Sequence, residues 1–226
     1  GPMRAHVESM VVARGGNLLF LSANNVYWRA RREPSPFGAG RRIAVYKNLA
    51  DDPVQDPALI TGLWRESPIS SPEQLLLGGQ YACLGADAPF VVPPSWPFGA
   101  SGVAPGTVIP HLGWTEVDRV WSSYERRPDV LVLARSYAPC ANPVAGQTAE
   151  WDIAAYRTPS GGAVVDVGTL GWTCHLRDAC AWDLGDAAAQ QLVSGATGAL
   201  VSVFAAGPAG AAVAQIAPPW EMLPGP

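Results

Sequence analysis

The side chains best suited to chemistry are oxygen donors beside two predicted strands. Polar and apolar residues alternate over residues 114–121, which places Glu116 and Asp118 on one face of a strand. Tyr27 follows a continuous apolar run, residues 17–22, and α/β sheets hold their ligands at the point where such strands end. Phenol and carboxylate oxygens are hard donors, which suit a hard metal ion.

Each of these residues also has a purely structural interpretation. Tyr27 sits next to Trp28, and the two rings could pack on the sheet with the phenol bound to a backbone group. The carboxylates of residues 116 and 118 could instead pair with Arg119 or Arg135 in a structural network.

Two asparagines are weaker candidates for binding a substrate. Asn24 tolerates a left-handed backbone and can hydrogen-bond its own main chain, so it suits a fixed loop before Tyr27. Asn142, in the segment Cys140-Ala-Asn-Pro, is a candidate for contact with a substrate carbonyl or an oxyanion.

Other catalytic patterns are missing from the sequence. It has no G-x-S-x-G nucleophile elbow and no phosphate-binding G-x-x-x-x-G-K-[ST] loop. Cys174, His175 and Cys180 match no standard zinc spacing. The four cysteines are sparse and form no CxxC pair, so we expect reduced thiols and a cytoplasmic protein, with a Cys174–Cys180 bridge as the alternative.

Composition indicates a loop-rich globular protein. Of 226 residues, 24 are Gly and 22 are Pro, while only 15% are charged. The net charge of −4, without a basic stripe, argues against nucleic-acid binding. Residues 187–220 carry no charge, but their glutamines, glycines and serine favour a buried helix over a membrane span.

The predicted elements mix helices and strands along the chain. We expect an opening helix ended by Gly15-Gly16, and a long helix between an Asp186 N-cap and Gly207. Irregular chain is expected over residues 89–110 because that stretch is rich in proline. The remaining predicted strands and helical turns cover residues 26–31, 42–46, 56–62, 72–77, 130–135, 151–156 and 163–167.

The domain prediction is a single unit over residues 3–226. Gly1-Pro2 is typical of a cleaved tag. The chain then opens within a helical pattern, and we therefore expect a domain that is truncated at its N-terminus.

Four ordered segments resemble a known family. They are residues 15–29 with the motif Asn-x-x-Tyr-Trp, residues 44–65, the Gly113-Trp-Thr-Glu-Val-Asp signature, and residues 160–172. Together they resemble the C-terminal domain of the N,N-dimethylformamidase large (beta) subunit. The resemblance implies an α/β fold with a mixed sheet like the C-terminal part of a class I glutamine-amidotransferase domain, loop-rich, with a C-terminal helix.

The resemblance also implies a bacterial amidohydrolase that cleaves a small amide C–N bond with ferric iron as Lewis acid. Two tyrosines and one glutamate hold the iron in this family. Tyr27 matches one tyrosine and Glu116 matches the glutamate, with Asp118 beside it as a residue that could orient a ligand or water. The segment that carries the family's other tyrosine would precede the opening helix, so we expect an incomplete iron site in this chain.

Two functional hypotheses follow from the sequence. The first is the amidohydrolase, with a small amide as substrate and with a homo-oligomer or a second subunit supplying the missing elements. The alternative is a non-catalytic subunit or interaction module that binds a partner through a surface rich in tryptophan, at Trp64, Trp96 and Trp121. Neither hypothesis involves nucleic acid or a membrane.

Overall fold

The computed structural model describes residues 2–141, 147–177 and 186–215. This part of the chain opens with a helix, continues mainly with strands and closes with three helices. The helices are α1 (Pro2–Arg14), α2 (Gln74–Leu77), α3 (Gly171–Arg177), α4 (Ala187–Ala206) and α5 (Gly210–Ala214), with short 3₁₀ helices at Leu49–Asp51 and Phe98–Ser101. The strands are β1 (Leu18–Phe20), β2 (Trp28–Arg29), β3 (Arg31–Ser35), β4 (Gly38–Ala44), β5 (Gly62–Leu63), β6 (Gln80–Val91), β7 (Val108–Arg119), β8 (Leu131–Cys140), β9 (Gln147–Arg157) and β10 (Ala163–Asp166).

The largest sheet has four strands in the order β1-β10-β9-β8. β1 runs parallel to β10, whereas the other two pairings are antiparallel. The predicted α/β class with a mixed sheet is therefore confirmed. The apolar run at residues 17–22 is typical of a central parallel strand that is buried on both faces. The parallel pairing is confirmed, but the central, buried position is wrong, because β1 lies at the edge of the described sheet and is only half-buried.

A second pair of long strands, β6 and β7, carries the carboxylates singled out in the sequence. The two strands pair antiparallel with three register shifts. The prediction of irregular chain over residues 89–110 is wrong at both ends, because β6 continues to residue 91 and β7 begins at residue 108. Pro89 and Pro110 lie within these strands. Among the described residues β6 and β7 form a two-stranded sheet, and strands at a sheet edge tolerate proline.

Helix α4 confirms the predicted long helix. The Asp186 side chain accepts hydrogen bonds from the backbone N–H groups of Ala188 and Ala189, which is the expected N-cap. Leu192, Ala196 and Leu200 bury one face of the helix in the main core, which also contains the large side chains Phe90, Phe98, Trp151 and Trp172.

Within the described residues, α4 is the helix long and apolar enough to cross a membrane by length and composition. The core helix of a globular protein passes the same test, and the buried positions of α4 follow the helical spacing of such a helix.

A disulfide joins the two sheet systems. Cys83 in β6 is bonded to Cys140 in β8, with their Cα atoms 5.8 Å apart. The prediction of reduced thiols is therefore wrong for this pair, whose partners are 57 residues apart in sequence and not recognisable from spacing. Residue 180 of the alternative Cys174–Cys180 bridge lies outside the described residues, and the cytoplasmic location stays a prediction.

Candidate functional site

Asn24 brings the two predicted carboxylates to one place. Its backbone N–H donates to Asp118 Oδ1 at 2.9 Å, and its side-chain Nδ2 donates to Glu116 Oε1 at 3.0 Å. Asn24 lies in the loop after β1, while the carboxylates lie near the end of β7. The prediction that Glu116 and Asp118 face the same side is consistent with this shared partner.

The loop that carries Asn24 has an unusual backbone. Asn24 has φ of 57° and Val26 has φ of 55°. Asparagine adopts this left-handed region with little strain, but a β-branched residue does so rarely. The loop is therefore held by its contacts, and it leads directly into Tyr27.

Tyr27 lies among aromatic rings. Its ring centroid is 5.0 Å from that of Trp28 and 5.0 Å from that of Tyr81. Tyr81 is on β6, directly opposite Asp118 on β7. Tyr81 is not among the site residues predicted from the sequence, because β6 was not predicted. The register of β6 with β7 contains shifts that the sequence pattern does not reveal.

Arg65 is the cation next to these phenols. Its guanidinium lies over the Tyr27 ring, 5.3 Å from the centroid, and donates to the Tyr81 carbonyl at 3.1 Å. Arg65 is nearly buried and also binds the fully buried carboxylate of Glu73 at 2.8 Å. Most of its charge is thus compensated by Glu73, and little remains to balance Glu116 and Asp118.

Burial is the main cause of the raised pKa values in the cluster, and neighbouring acidic groups add to it. Burial raises the pKa of Tyr81 to about 12, and the negative charges at Glu116 and Asp118 add to the rise. Burial also raises the pKa of Tyr27, although Arg65 opposes the effect. Burial raises the pKa of Asp118 to about 7, against the hydrogen bond from Asn24. A bound cation would favour the ionised form of each group.

A further carboxyl group lies behind Asp118. Asp166, at the end of β10, is fully buried, and burial together with the charge of Asp118 raises its pKa well above the usual range. One oxygen each of Asp118 and Asp166, and Oδ1 of Asn24, are buried without a hydrogen-bond partner in the described structure. The cluster therefore retains acceptors that its own residues do not use.

The donor set fits a hard cation. No group of three or more histidine, cysteine, aspartate or glutamate side chains in the described ranges is arranged to hold a metal ion. The two phenols of Tyr27 and Tyr81 are oxygen donors of another type: their rings lie 5.0 Å apart, and the charge of Glu116 adds to the rise that burial causes in the pKa of each. Phenolate and carboxylate oxygens are appropriate ligands for ferric iron.

The structure brings together most of the residues predicted from the sequence. Asn24, Tyr27, Glu116 and Asp118 form one cluster, whereas Asn142 lies outside the described residues.

The arginines proposed as structural partners of the two carboxylates have other partners. Arg119 binds Glu150, and Arg135 binds Asp152 and Glu150. The ion-pair network suggested as a structural role for Glu116 and Asp118 is therefore formed by other acids.

Comparison with known proteins identifies the family. The family model for the N,N-dimethylformamidase beta subunit-like, C-terminal domain matches residues 1–183. The chain belongs to this family. No curated protein matches the chain significantly. The matched region of this dimethylformamidase beta subunit-like domain contains the whole Asn24, Tyr27, Tyr81 and Glu116 cluster.

The tryptophans suggested as a docking surface do not form an exposed patch in this dimethylformamidase beta subunit-like domain. Trp64 is only 9% exposed and lies beneath the guanidinium groups of Arg4 and Arg29. Trp96 and Trp121 are partly buried and pack against the main core. These three side chains therefore contribute to packing.

Proposed function

We propose that this chain is an amidohydrolase of the N,N-dimethylformamidase type, which hydrolyses a small amide C–N bond at a ferric iron. Tyr27 and Glu116 would hold the iron, and Tyr81 is a third oxygen donor beside them. The observation that supports this proposal most is that Tyr27 and Tyr81, with rings 5.0 Å apart, both lie within the electrostatic reach of Glu116 in the family-matched region. Iron there would polarise the amide carbonyl and lower the pKa of water.

The chain's own residues would orient this chemistry. Asn24 Nδ2 holds one oxygen of Glu116, which fixes the carboxylate plane. Asn24 Oδ1 has no partner, so it could accept a hydrogen bond from a substrate or a water molecule. Asp118 is fully buried, and we assign it the role of positioning Asn24. Contact of Asn142 with the substrate stays a prediction.

The alternative is a non-catalytic subunit or interaction module, and one surface favours it. The β3–β4 hairpin exposes Phe37 at its turn, 89% accessible, and Ile43, 70% accessible. Exposed large apolar side chains on an edge hairpin are typical of a contact with another chain. A homo-oligomer or a second subunit could use this hairpin in either functional hypothesis.

Metal analysis with a visible absorption spectrum tests the iron site. We expect the purified chain to take up ferric iron and to show a phenolate-to-iron charge-transfer band. Tyr27→Phe should abolish or shift the band, and Tyr81→Phe should shift it if that phenol binds. Tyr46→Phe is the matched control, because Tyr46 lies outside the cluster, and it should leave the band unchanged. Failure to bind iron after reconstitution would refute the iron site.

Catalysis needs a separate measurement. Release of dimethylamine from N,N-dimethylformamide by the iron-loaded chain, lost in Glu116→Gln, would support the amidohydrolase. An iron-loaded chain that releases no amine from N,N-dimethylformamide or other small amides would favour the non-catalytic alternative.

A further inference from the structure

Asp166 lies beside Asp118, within the family-like segment 160–172, and the proposed iron site does not include it. It is fully buried at the end of β10, and its Oδ1 accepts a hydrogen bond from Gly168 N–H at 3.1 Å. A methyl group at position 79 would lie 3.0 Å from Asp166 Oδ2 and 3.6 Å from Cβ of Asp118. Gly79 thus leaves room for the side chains of Asp166 and Asp118 next to the same backbone position.

The backbone fixes Asp166 relative to the cluster. The segment after β10 runs antiparallel to the end of β7, with Val117 bridged to Thr169. Asp118 N–H donates to the Gly168 carbonyl at 2.9 Å, and Leu170 N–H donates to the Glu116 carbonyl at 3.3 Å. Any shift of the segment that carries Asp166 would therefore move the main chain of both site carboxylates.

A path of neighbouring polar groups leads from Asp166 to Glu116. Asp166 and Asp118 lie side by side at Gly79 without a hydrogen bond between their side chains in the described structure. Asp118 Oδ1 accepts the Asn24 N–H, and Asn24 Nδ2 donates to Glu116. We propose that Asp166 is a positioning residue, which acts through Asp118 and Asn24 to hold the Glu116 carboxylate in one orientation. Glu116 as an iron ligand rests on the proposed function, but the path itself does not.

A purely structural role would not require an acid at this position. An apolar side chain would fill the same buried space without the desolvation cost that a carboxyl group brings. The polar group is useful where it has a polar neighbour to influence, and the buried Asp118 carboxyl group is such a neighbour.

Amide hydrogen exchange of Asn24 in the iron-free chain tests the path directly. We expect Asp166→Ala to speed exchange of the Asn24 backbone amide by about tenfold, since its acceptor Asp118 loses support. Asp166→Asn keeps the shape and a polar donor, so it should stay within about threefold of the natural chain. Asp52→Asn is the control, because Asp52 is an equally buried acid whose partners are Arg31 and Thr61.

Iron binding provides the second readout. In the iron-loaded chain, Asp166→Ala should weaken iron affinity by about tenfold and shift the charge-transfer band, whereas Asp166→Asn should restore both. If Asp166→Ala does not fold, Asp166→Ser takes its place. We then expect the Asn24 backbone amide to exchange faster in Asp166→Ser than in Asp166→Asn.

Two results would overturn the inference: a folded Ala or Ser variant with unchanged Asn24 exchange, or an Asn variant as impaired as the Ala variant. Absence of iron from the natural chain would refute the proposed function alone, because exchange is measured without iron.

Discussion

Asn24 holds both site carboxylates, one through its peptide N–H and the other through its side chain. Its N–H binds Asp118, its Nδ2 binds Glu116, and its φ of 57° directs the chain toward Tyr27. The left-handed backbone and the side-chain donor are separate requirements, and two substitutions can separate them.

Asn24→Gly keeps the backbone conformation and removes the side-chain hydrogen bond, whereas Asn24→Ala removes the bond and also strains the backbone. We expect Asn24→Ala to lower the free energy of unfolding by about 1 kcal/mol more than Asn24→Gly does. Both variants should weaken iron binding by about tenfold, because both release Glu116. Urea unfolding and iron titration measure the two effects, and equal unfolding energies would contradict the backbone argument.

At the residue scale, the sequence was sufficient to place those site residues whose position follows from a local pattern. Glu116 and Asp118 could be placed on one face because their spacing of two is the strand repeat. Tyr27 could be placed because it follows an apolar run. Tyr81 could not be placed, because its position opposite Asp118 depends on the long-range pairing of β6 with β7, and this pairing contains bulges.

At the element scale, Gly85 lies at a register shift of the β6–β7 pair and packs against the residue that follows β8. Gly85 has φ of 78°, and a methyl group there would lie 2.5 Å from Cβ of Ala141. Gly106 has a similar φ of 85° but open space around it.

These two glycines form a matched pair for substitution. Gly106→Ala should cost about 1 kcal/mol of stability from backbone strain alone. Gly85→Ala adds a clash and should cost about 3 kcal/mol. Thermal or urea unfolding of the two variants measures the difference, and equal costs would show that the contact between residues 85 and 141 relaxes freely.

The disulfide between β6 and β8 makes a second prediction for the elements. Replacement of Cys83 and Cys140 by alanine should lower the free energy of unfolding by about 4 kcal/mol, from the entropy of a loop closed over 57 residues. Urea unfolding of the oxidised chain and the double variant measures this difference.

Thiol titration of the unfolded, unreduced chain provides the control, because neither Cys83 nor Cys140 should react. Disulfides persist mainly in oxidising compartments, so reactive Cys83 and Cys140 thiols in freshly isolated protein would instead support the cytoplasmic location.

The elements differ in how far the sequence determines them. Helix α4 could be predicted because its signals are local: Asp186 caps its start, and Gly207 follows its end. Strand β6 could not, because Gly85 and Pro89 interrupt its pattern and its stability comes from pairing with β7. The order of strands in the main sheet likewise follows from tertiary contacts.

At the scale of the whole molecule, the buried acids make stability depend on pH. The folded chain keeps the Asp118 proton up to about pH 7, whereas the unfolded chain releases it near pH 3.8. Between these values the folded state binds more protons, so the free energy of unfolding falls as the pH rises. We expect a slope of at most about 1.4 kcal/mol per pH unit from this group.

Urea unfolding between about pH 4.5 and about pH 7.5 measures this slope. Over this window of about three pH units the folded and unfolded chains differ in how much of the Asp118 proton they hold. Asp118→Asn should flatten it. Asp52→Asn should not, because the hydrogen bond from Arg31 holds the pKa of Asp52 well below its usual range, and its contribution is lost only at more acidic pH. A natural chain that gains stability across the window would contradict the prediction.

Asn17, the residue before β1, forms hydrogen bonds with residues beyond the end of the family match. The Asn17 side chain donates to the carbonyls of Phe204 and Gly207 and accepts from the N–H groups of Ala163 and Ala209. The family match ends at residue 183, yet this residue near its beginning binds the junction of α4 and α5. The hydrogen bonds of Asn17 therefore extend beyond the end of the family match. A chain shortened to the aligned region would lose the helix that covers its core, so alignment limits should not set the ends of the protein chosen for expression.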